Sequence, residues 1–322
     1  MVSKRKIATV FGGTGFVGRH IVKRLATEGY TVKVATRVPE RAYFLKPCGN
    51  AGQVVPVVCH YNDPASLREA IEGASIVVNC LGILFERRRS RFRRLHVELP
   101  GQIAEASARE GVERFIHISA LGADRSRSRY ALTKLEGENA VKAACPWATI
   151  MRPSVIFGPE DNFFNMFARL AQILPLLPLI GGGKTLFQPV YVGDAAQAIA
   201  VAALRPVDGG FDPRGKTYEL GGPETVSFRQ IYELLAKYTG RRRFMVPLPF
   251  CVAKIEAFFL SFLPRPLLTP DQVESLKTDN VVSAGSLTLA DLGVASTGMG
   301  LILPSYLETY RVGGRFANKK IA

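Results

Sequence analysis

Three glycines spaced by two residues constrain the fold of this chain more than any other feature. Gly12, Gly15 and Gly18 lie in "VFGGTGFVGRHIVKRL", where an apolar strand-like run ends and a stretch with helical periodicity begins. A tight strand-to-helix turn, a backbone close to a pyrophosphate and close helix–strand packing each favour a residue without a Cβ. The N-terminus of the following helix offers free N–H groups to phosphate. The pattern predicts a dinucleotide-binding unit; the alternative is a tight turn that binds no ligand.

Apolar, strand-like runs alternate with amphipathic, helix-like stretches throughout the first half of the chain. Nearly continuous apolar strands separated by helices indicate a parallel sheet that is covered on both faces. The sequence therefore predicts an α/β fold, a Rossmann-like doubly wound parallel sheet with a smaller, irregular α/β C-terminal part. The predicted strands are Ile7–Phe11, Thr31–Ala35, Val54–Val58, Ser75–Asn79, Phe115–Ser119 and Ala148–Met151, and the predicted helices are Val17–Thr27, Pro64–Glu72, Pro100–Glu110 and Ser128–Ala144.

The composition of the chain changes after about residue 153, where prolines and glycines cluster and helical stretches become less regular. No polar linker marks a break, so the second part is expected to pack against the first. We expect a dinucleotide-binding domain over residues 1–152 and a smaller C-terminal domain over residues 153–322, which contacts partner subunits or a membrane surface. The strongly apolar stretch from Pro249 to Leu268 is too short to cross a bilayer and predicts a buried or interfacial helix.

The residues after the second predicted strand bear on the choice of cofactor. Sites for NAD usually place an acidic residue there, which binds the ribose 2′-hydroxyl. This chain reads "VKVATRVPER": Arg37, not an acid, comes directly after Thr36 at the end of the strand, and Arg41 follows a little later. Because a guanidinium can bind a 2′-phosphate in bidentate fashion, the pattern favours NADPH over NADH. The alternative is an exposed arginine on a basic protein.

The net charge of +15 is concentrated in the first half, and six arginines fall in the run Arg87–Arg94. Such a run is either a solvated loop or a contact to an acidic partner subunit, anionic lipid or RNA. It has one aromatic residue, Phe92, and no RNA-binding motif accompanies it. We therefore expect protein or lipid as the partner and no nucleic acid.

Tyr130 and Lys134 are spaced so that one helix face carries both, one turn apart. In a working reductase site, the lysine charge lowers the pKa of the tyrosine, which then protonates a carbonyl oxygen. Upstream of this pair, Ser119 ends the fifth predicted strand, and Ala120 follows it. Ala120 has no hydroxyl that could donate to an oxyanion. Loss of one such donor typically lowers the rate by a factor on the order of 10²–10³, which weakens catalysis without excluding it. The alternative is two helix residues at this spacing by chance.

Together with "NCLG", "FIHISALGA", "YALTK" and "RPSVIFGPEDNF", the glycine loop makes the chain resemble the atypical branch of the short-chain dehydrogenase/reductase superfamily. More narrowly, "SRYALTKLEGE", "KTLFQPVYVGDAAQAI" and the tail pattern around "LTPDQVESLKTDNVV" resemble the nucleotide-binding accessory subunits of respiratory complex I. The resemblance implies bound NADPH without turnover, and a peripheral position on the cytoplasmic face of a bacterial inner membrane or the matrix side of a mitochondrial one. It also implies partners among the peripheral-arm subunits, with anionic lipid as a further partner.

Two positions depart from the pattern of active superfamily members. Ala120 stands where a second serine is usual, and His60 stands where an aspartate often binds the adenine amino group, although Asp63 is retained. The resemblance implies no confident catalytic residue, with Ser119, Tyr130 and Lys134 as remnants of a catalytic set. The cofactor-binding residues that it implies are Gly12, Gly13, Thr14, Gly15, Phe16, Val17, Gly18, Arg19, Arg37, Asp63, Leu81, Gly82, Ser119, Tyr130, Lys134, Pro153, Ser154 and Val155.

Three functions remain open at this point. The resemblance favours a non-catalytic, NADPH-binding accessory subunit that supports the assembly and stability of the complex I peripheral arm near the quinone-entry region. The second is a free NADPH-dependent reductase or epimerase. The third is a regulator that binds another protein in response to NADPH. No metal site is expected, because the histidines show no ligand spacing with cysteine or carboxylate.

Overall fold

The computed structural model describes residues 6–86, 91–208, 210–264 and 266–314. Strands and helices alternate through the first half, as the sequence predicts, and their bounds differ from the predicted ones by at most two residues. The strands are β1 Ile7–Phe11, β2 Thr31–Thr36, β3 Val54–Val58, β4 Ile76–Asn79, β5 Arg114–Ile118 and β6 Thr149–Pro153; the helices are α1 Phe16–Thr27, α2 Pro64–Ile71, α3 Arg91–Arg93, α4 Leu99–Arg109 and α5 Arg129–Ala144.

The second half contains shorter strands and further helices. Its strands are β7 Ile156–Phe157, β8 Leu176–Ile180, β9 Leu186–Phe187, β10 Val190–Tyr191, β11 Thr217–Leu220, β12 Val226–Ser227 and β13 Phe244–Leu248. Its helices are α6 Phe164–Ile173, α7 Val192–Leu204, α8 Phe228–Thr239, α9 Phe250–Leu260, α10 Pro270–Ser275 and α11 Met299–Leu307. Tight helical turns occupy Pro39–Cys48, Gly181–Gly183, Ala290–Leu292 and Glu308–Tyr310, and a widened turn at Arg94–Glu98 joins α3 to α4.

The main sheet is parallel, with the strand order β11-β6-β5-β4-β1-β2-β3. β2 and β3 extend the sheet on one side of β1, whereas β4 and the strands after it extend the sheet on the other side. This change of direction makes a crevice at the carboxyl ends of β1 and β4. This is the doubly wound Rossmann-like fold that the sequence predicts. The seventh strand, β11, comes from the second half of the chain and pairs with β6.

Successive side chains of β1 enter the two cores on opposite faces of the sheet, as the period of a strand requires. Val10 packs in the cluster with α1 and α7, whereas Phe11 packs in the cluster with α2, α4 and α5. Both side chains are fully buried. A third cluster, rich in aromatic residues, lies among α6, α8 and α11. The division of the chain into domains 1–152 and 153–322 stays a prediction.

The apolar stretch predicted to be a buried or interfacial helix forms α9. Only Ala253 and Ala257 are buried on this helix, while Val252, Ile255, Phe258 and Phe259 are exposed. The helix is therefore not buried in this chain. No helix within the described ranges combines the length and apolarity needed to cross a bilayer.

Candidate functional site

The glycine loop forms the tight turn between β1 and α1. Gly12 adopts φ +76°, a conformation that favours glycine, and its carbonyl oxygen accepts a hydrogen bond from the Gly15 N–H at 2.9 Å. A Cβ on Gly18 would lie 2.2 Å from the Gly12 carbonyl oxygen, and one on Gly12 would lie 3.0 Å from the Cys80 carbonyl carbon. A Cβ on Gly13 would lie 3.0 Å from Val34 Cγ1. The turn thus has no space for side chains where the loop meets α1 and β4.

The first turn of α1 lacks a side-chain cap, because Gly15 stands at the capping position. Its N–H groups and the positive end of the helix dipole are available to an anion. The Arg19 guanidinium folds back on the loop, donating to the Gly15 carbonyl at 3.3 Å and the Thr14 carbonyl at 3.5 Å. Phe16 is half-exposed beside the loop, and Val17 packs on the core. These residues fit a pyrophosphate at the start of α1.

Arg37 follows β2 directly, as the sequence predicts, and is exposed. Its guanidinium lies 5.8 Å from the centroid of the Tyr61 ring, a distance at which cation and ring attract each other. The Tyr61 hydroxyl in turn donates to the Ala35 carbonyl at 3.0 Å. This arrangement holds a positive charge beside the end of β2, where a dinucleotide ribose is bound in Rossmann folds.

Asp63 lies beyond β3 and caps α2. Its carboxylate accepts a hydrogen bond from the Ala65 N–H at 3.0 Å, and Pro64 follows it as the first helical residue. Asp63 is exposed. The structure therefore shows a helix-capping role for this residue, and its contact with a cofactor stays a prediction.

Leu81 and Gly82 follow β4 beside the glycine loop. The Asn79 side-chain oxygen accepts a hydrogen bond from the Leu81 N–H at 3.1 Å. A Cβ on Gly82 would lie 3.7 Å from Lys134 Nζ and 3.8 Å from His96 Nε2. The missing side chain at Gly82 therefore leaves Lys134 and His96 facing the backbone after β4.

Lys134 is buried beneath this edge of the sheet, and its ammonium donates to the Ile118 carbonyl at 2.8 Å. Burial lowers the pKa of Lys134 to about 8, against an opposing effect of Glu138. Tyr130, one turn earlier, packs edge-on against Phe92 and His96, with ring centroids 6.0 and 5.4 Å away. Burial raises the pKa of Tyr130 to about 12.

Two buried polar atoms on β5 and just beyond it have no hydrogen-bond partner within the described residues. They are the Ser119 hydroxyl and His117 Nε2, two residues apart and therefore on the same side of the strand. Asn79 Nδ2 lies 3.2 Å from His117 Nδ1, which assigns the proton of the neutral ring to Nε2. Burial holds the pKa of His117 well below its ordinary value. Buried donors without partners are rare, and a bound polar ligand would satisfy them.

Pro153, Ser154 and Val155 end β6 and begin the next loop. The Asn280 side-chain oxygen accepts hydrogen bonds from the Ser154 hydroxyl at 2.6 Å and from the Val155 N–H at 3.0 Å. The Pro153 carbonyl accepts a bond from the Leu121 N–H at 2.9 Å. The Ser154 hydroxyl thus serves the fold, and a cofactor would meet the backbone of this segment.

The predicted cofactor contacts converge at the carboxyl edge of the parallel sheet. Those that lie there are the glycine loop, Leu81–Gly82, Ser119, Lys134 and the Pro153–Val155 segment. The lack of Cβ space in the loop and the unpartnered Ser119 hydroxyl fit a dinucleotide at this edge. Such a cofactor would supply hydride chemistry when bound. The described residues contain no group of histidine, cysteine or carboxylate side chains arranged to hold a metal ion.

Sequence reasoning missed three residues that position this site. Asp271 caps the N-terminus of α5, Asn280 holds the loop after β6, and Arg152 pairs with a buried carboxylate of α5. "TPDQ" does carry a signal for a short helix, because Thr269 and Gln272 form a capping box. That signal does not reveal that Asp271 also caps a helix 142 positions away along the chain.

Residues 8–221 match the model of the NAD dependent epimerase/dehydratase family. The chain is 39% identical over 320 residues to NADH dehydrogenase (ubiquinone) 1 alpha subcomplex subunit 9, mitochondrial, of Arabidopsis thaliana, covering 96% of this chain and 79% of that protein. It is 36% identical over 309 residues to the protein of the same name from Rattus norvegicus, covering 95% and 80%. Among solved structures, an NADPH complex of the Escherichia coli quinone oxidoreductase QOR2 superposes with a TM-score of 0.72 at 18% identity, covering 93% of this chain and 98% of that one. The last of these shows the shared fold alone.

Proposed function

Because the chain belongs to the NAD dependent epimerase/dehydratase family and to the family of NADH dehydrogenase (ubiquinone) 1 alpha subcomplex subunit 9, we propose that it is an accessory subunit of respiratory complex I that holds NADPH. The nucleotide stabilises the subunit, since a ligand that binds only the folded state adds to its stability. The subunit in turn supports the assembly and stability of the peripheral arm near the quinone-entry region.

Two observations support the proposal of binding without turnover, one at Tyr130 and one beside Ser119. The phosphate loop has the geometry that a dinucleotide needs, whereas Tyr130 lacks the environment of a proton donor. Its pKa is raised to about 12 by burial, and Ala120 follows Ser119 where a second hydroxyl would stabilise an oxyanion. A phenol whose pKa lies far above the working pH transfers its proton poorly.

The proposed contacts follow the dinucleotide from the phosphates to the nicotinamide. The glycine loop binds the pyrophosphate, Arg37 binds the ribose 2′-phosphate, and Lys134 with Ser119 donates to the nicotinamide ribose. The remaining contacts are backbone and apolar surfaces. The proposed set is Gly12, Gly13, Thr14, Gly15, Phe16, Val17, Gly18, Arg19, Arg37, Asp63, Leu81, Gly82, Ser119, Tyr130, Lys134, Pro153, Ser154 and Val155.

The preference for NADPH over NADH rests on Arg37 and on the lack of an acid after β2. Replacing Arg37 with Asp puts a negative charge where the 2′-phosphate would be bound, so affinity for NADPH should fall and affinity for NADH should rise. Titration calorimetry with both nucleotides measures the ratio. Arg214→Asp, at an exposed ion pair with Asp212, is the control. An unchanged ratio in Arg37→Asp would remove this residue from the site.

The partners that we propose are other subunits of the peripheral arm, and α9 offers a surface for them. Ile255, Phe258 and Phe259 are exposed on this helix by 62%, 54% and 66%. Exposed apolar patches of this kind mark interaction sites. Lys254 and Lys277, beside this surface, share the carboxylate of Glu274, so among the described residues these two lysines leave little free positive charge there. We therefore assign it to a protein partner.

We assign the contact with anionic lipid to the run Arg87–Arg94. Residues 87–90 lie outside the described residues; within the rest, Arg91, Arg93 and Arg94 are exposed. Each basic residue near an anionic surface contributes about 1 kcal/mol to binding. Flotation with vesicles of phosphatidylcholine, with and without phosphatidylglycerol, tests this contact. Binding that is independent of phosphatidylglycerol and of salt would contradict it. With these partners, the protein would lie peripherally on the cytoplasmic face of a bacterial inner membrane or the matrix side of a mitochondrial one.

The experiment that tests the main proposal is native mass spectrometry of the tagged protein purified from its own membranes. We expect complex I subunits and a mass increment corresponding to NADPH. Recovery of the protein without other complex I subunits would contradict the proposal.

A free NADPH-dependent reductase or epimerase is the second candidate, because Tyr130 and Lys134 keep the spacing of a proton-donor pair on α5. It predicts steady NADPH oxidation with a cellular metabolite, abolished by Tyr130→Phe. The regulator hypothesis predicts instead a partner affinity that follows the ratio of NADPH to NADP, without complex I.

A further inference from the structure

Residues 269–282, which we name the strut, run between the proposed cofactor site and α9. The strut begins with the capping box of α10, formed by Thr269 and Gln272, and ends beyond Asn280. It contacts the site at two places and α9 at a third. The two contacts with the site join parts of the chain that are more than 100 positions apart.

The first contact is at the N-terminus of the helix that carries Tyr130 and Lys134. The two carboxylate oxygens of Asp271 accept hydrogen bonds from the N–H groups of Arg129 at 2.6 Å and Tyr130 at 3.0 Å. Ser128 Oγ accepts the next N–H, that of Ala131, at 3.2 Å. Asp271 therefore satisfies two of the donors that open α5 and puts its charge at the positive end of the helix dipole.

The second contact is at the loop after β6. Asn280 accepts from the Ser154 hydroxyl and the Val155 N–H, and its own amide donates to the Leu121 carbonyl at 3.1 Å. Arg125 donates to the Val281 carbonyl at 2.9 Å. The strut thus holds both the loop after β5 and the loop after β6, which flank the Ser119 hydroxyl, a group with no partner in the part of the chain that the structure describes.

The third contact is with α9. Val273 is fully buried in one small cluster with Ala253 and Ala257, the two buried residues of that helix. Glu274 lies 3.7 Å from Lys254. The helix buries little else, so its position depends on α10 and the few neighbours of this cluster.

We infer that the strut couples nucleotide binding to the ordering of α9, and that Asp271 is the positioning residue where the strut contacts α5. A nucleotide that orders α5 and the loops after β5 and β6 also orders the strut, and the strut orders the exposed apolar helix. Linkage requires the reverse effect as well: a partner that holds α9 raises the affinity for the nucleotide by the same factor. This inference rests on the proposed nucleotide binding.

Hydrogen–deuterium exchange of the full chain, with and without saturating NADPH, tests the coupling. We expect exchange in peptides from α9 and α10 to slow by about fivefold or more when NADPH is bound. In Asp271→Ala, two N–H groups of α5 lose their acceptor; the affinity for NADPH should fall by about fivefold and the protection of α9 should be lost. Asp271→Asn keeps one oxygen acceptor and should give an intermediate loss of both. Asp212→Asn, at an exposed ion pair, is the matched control and should keep both.

The outcomes separate the coupling from the proposed function. If NADPH fails to bind the unaltered chain, the proposed function is wrong. If NADPH binds and protects the glycine loop while exchange in α9 is unchanged, the coupling is wrong and nucleotide binding stands. Equal protection of α9 in Asp271→Ala and the unaltered chain would likewise contradict the role of Asp271. Circular dichroism confirms that each variant is folded.

Discussion

A single methyl group at position 18 would occupy the space of the Gly12 carbonyl oxygen, because a Cβ there would lie 2.2 Å from it. The loop must therefore open, or α1 must shift, before any other residue fits. Both changes would misalign the N–H groups that the first turn of α1 offers to phosphate. At the scale of the residue, backbone geometry decides whether this site can bind a nucleotide.

Gly18→Ala should lower the free energy of unfolding by roughly 2 kcal/mol and abolish NADPH binding, because the added Cβ overpacks the loop. Urea denaturation and calorimetry measure the two effects. Gly101→Ala, inside α4, is the matched control, since a Cβ there would lie 3.4 Å from Ala140 Cβ on α5, an ordinary contact between helices. It should leave stability unchanged or raise it by up to about 1 kcal/mol. Normal binding by Gly18→Ala would remove the loop from the site.

The buried Lys134 should make the stability of the fold depend on pH. Burial lowers its pKa to about 8 from 10.5, so between these values the unfolded chain binds the proton and the folded chain releases it. Stability therefore rises with pH across this window, and below pH 8 the folded state carries the full cost of the buried charge. The free energy of unfolding, relative to that of Lys134→Met, should rise from pH 8 to pH 10.5 by about 3 kcal/mol at most. Parallel curves for the two proteins in urea denaturation would show that Lys134 titrates normally.

At the scale of the element, α5 is held to the sheet by charge as well as by apolar packing. Arg152 on β6 donates two hydrogen bonds of 2.9 Å to the buried Glu138 carboxylate of α5, and a third to Asp124. Glu219 on β11 lies 3.6 Å from the same guanidinium. One arginine thus contacts carboxylates from a helix, a loop and the strand that the second half of the chain adds to the sheet.

Arg152→Met should lower the free energy of unfolding by about 3–5 kcal/mol, because it leaves the fully buried Glu138 carboxylate without the guanidinium that pairs with it. Arg152→Met combined with Glu138→Leu should recover part of this loss, since the most buried carboxylate is then absent as well. Arg214→Met, at an exposed pair, should change stability by less than about 1 kcal/mol. Chemical denaturation measures all three, and a small effect of Arg152→Met would show that the network is dispensable.

At the scale of the whole molecule, the apolar surface is unevenly distributed. Most large apolar side chains of the main sheet and its flanking helices are buried, whereas Phe259 and Phe262 are exposed by 66% and 74%. Full burial of such a side chain contributes about 1.5–3 kcal/mol. A surface of this kind is costly to leave in water, which is consistent with a covering partner in an assembly.

Phe259→Asn with Phe262→Asn should leave the free energy of unfolding within about 0.5 kcal/mol per substitution, because both side chains are largely exposed. Association with complex I subunits should be lost. Leu301→Asn, at a residue 74% exposed on α11, is the control and should copurify normally. Retained association in the double variant would show that α9 is not the contact surface.

The sequence determined the local structure and the place of the cofactor loop. Strand and helix periodicities predicted β1 and β3 to the residue, and the glycine spacing located the turn that the structure shows after β1. These features depend on neighbours along the chain, because period, capping and backbone freedom are local properties. The "YALTK" spacing placed Tyr130 and Lys134 on one helix for the same reason.

Only the tertiary structure decided what those residues face. It added β11 to the sheet, put Asp271 on the N-terminus of α5, used Asp63 as a helix cap and left the Ser119 hydroxyl without a partner among the described residues. It also turned the large side chains of α9 outward, although their apolar sequence equally predicted burial. Each of these outcomes depends on contacts between residues far apart in the chain. Periodicity and spacing carry no information about which distant groups meet, so burial, pKa and hydrogen-bond partners could be read only from the folded molecule.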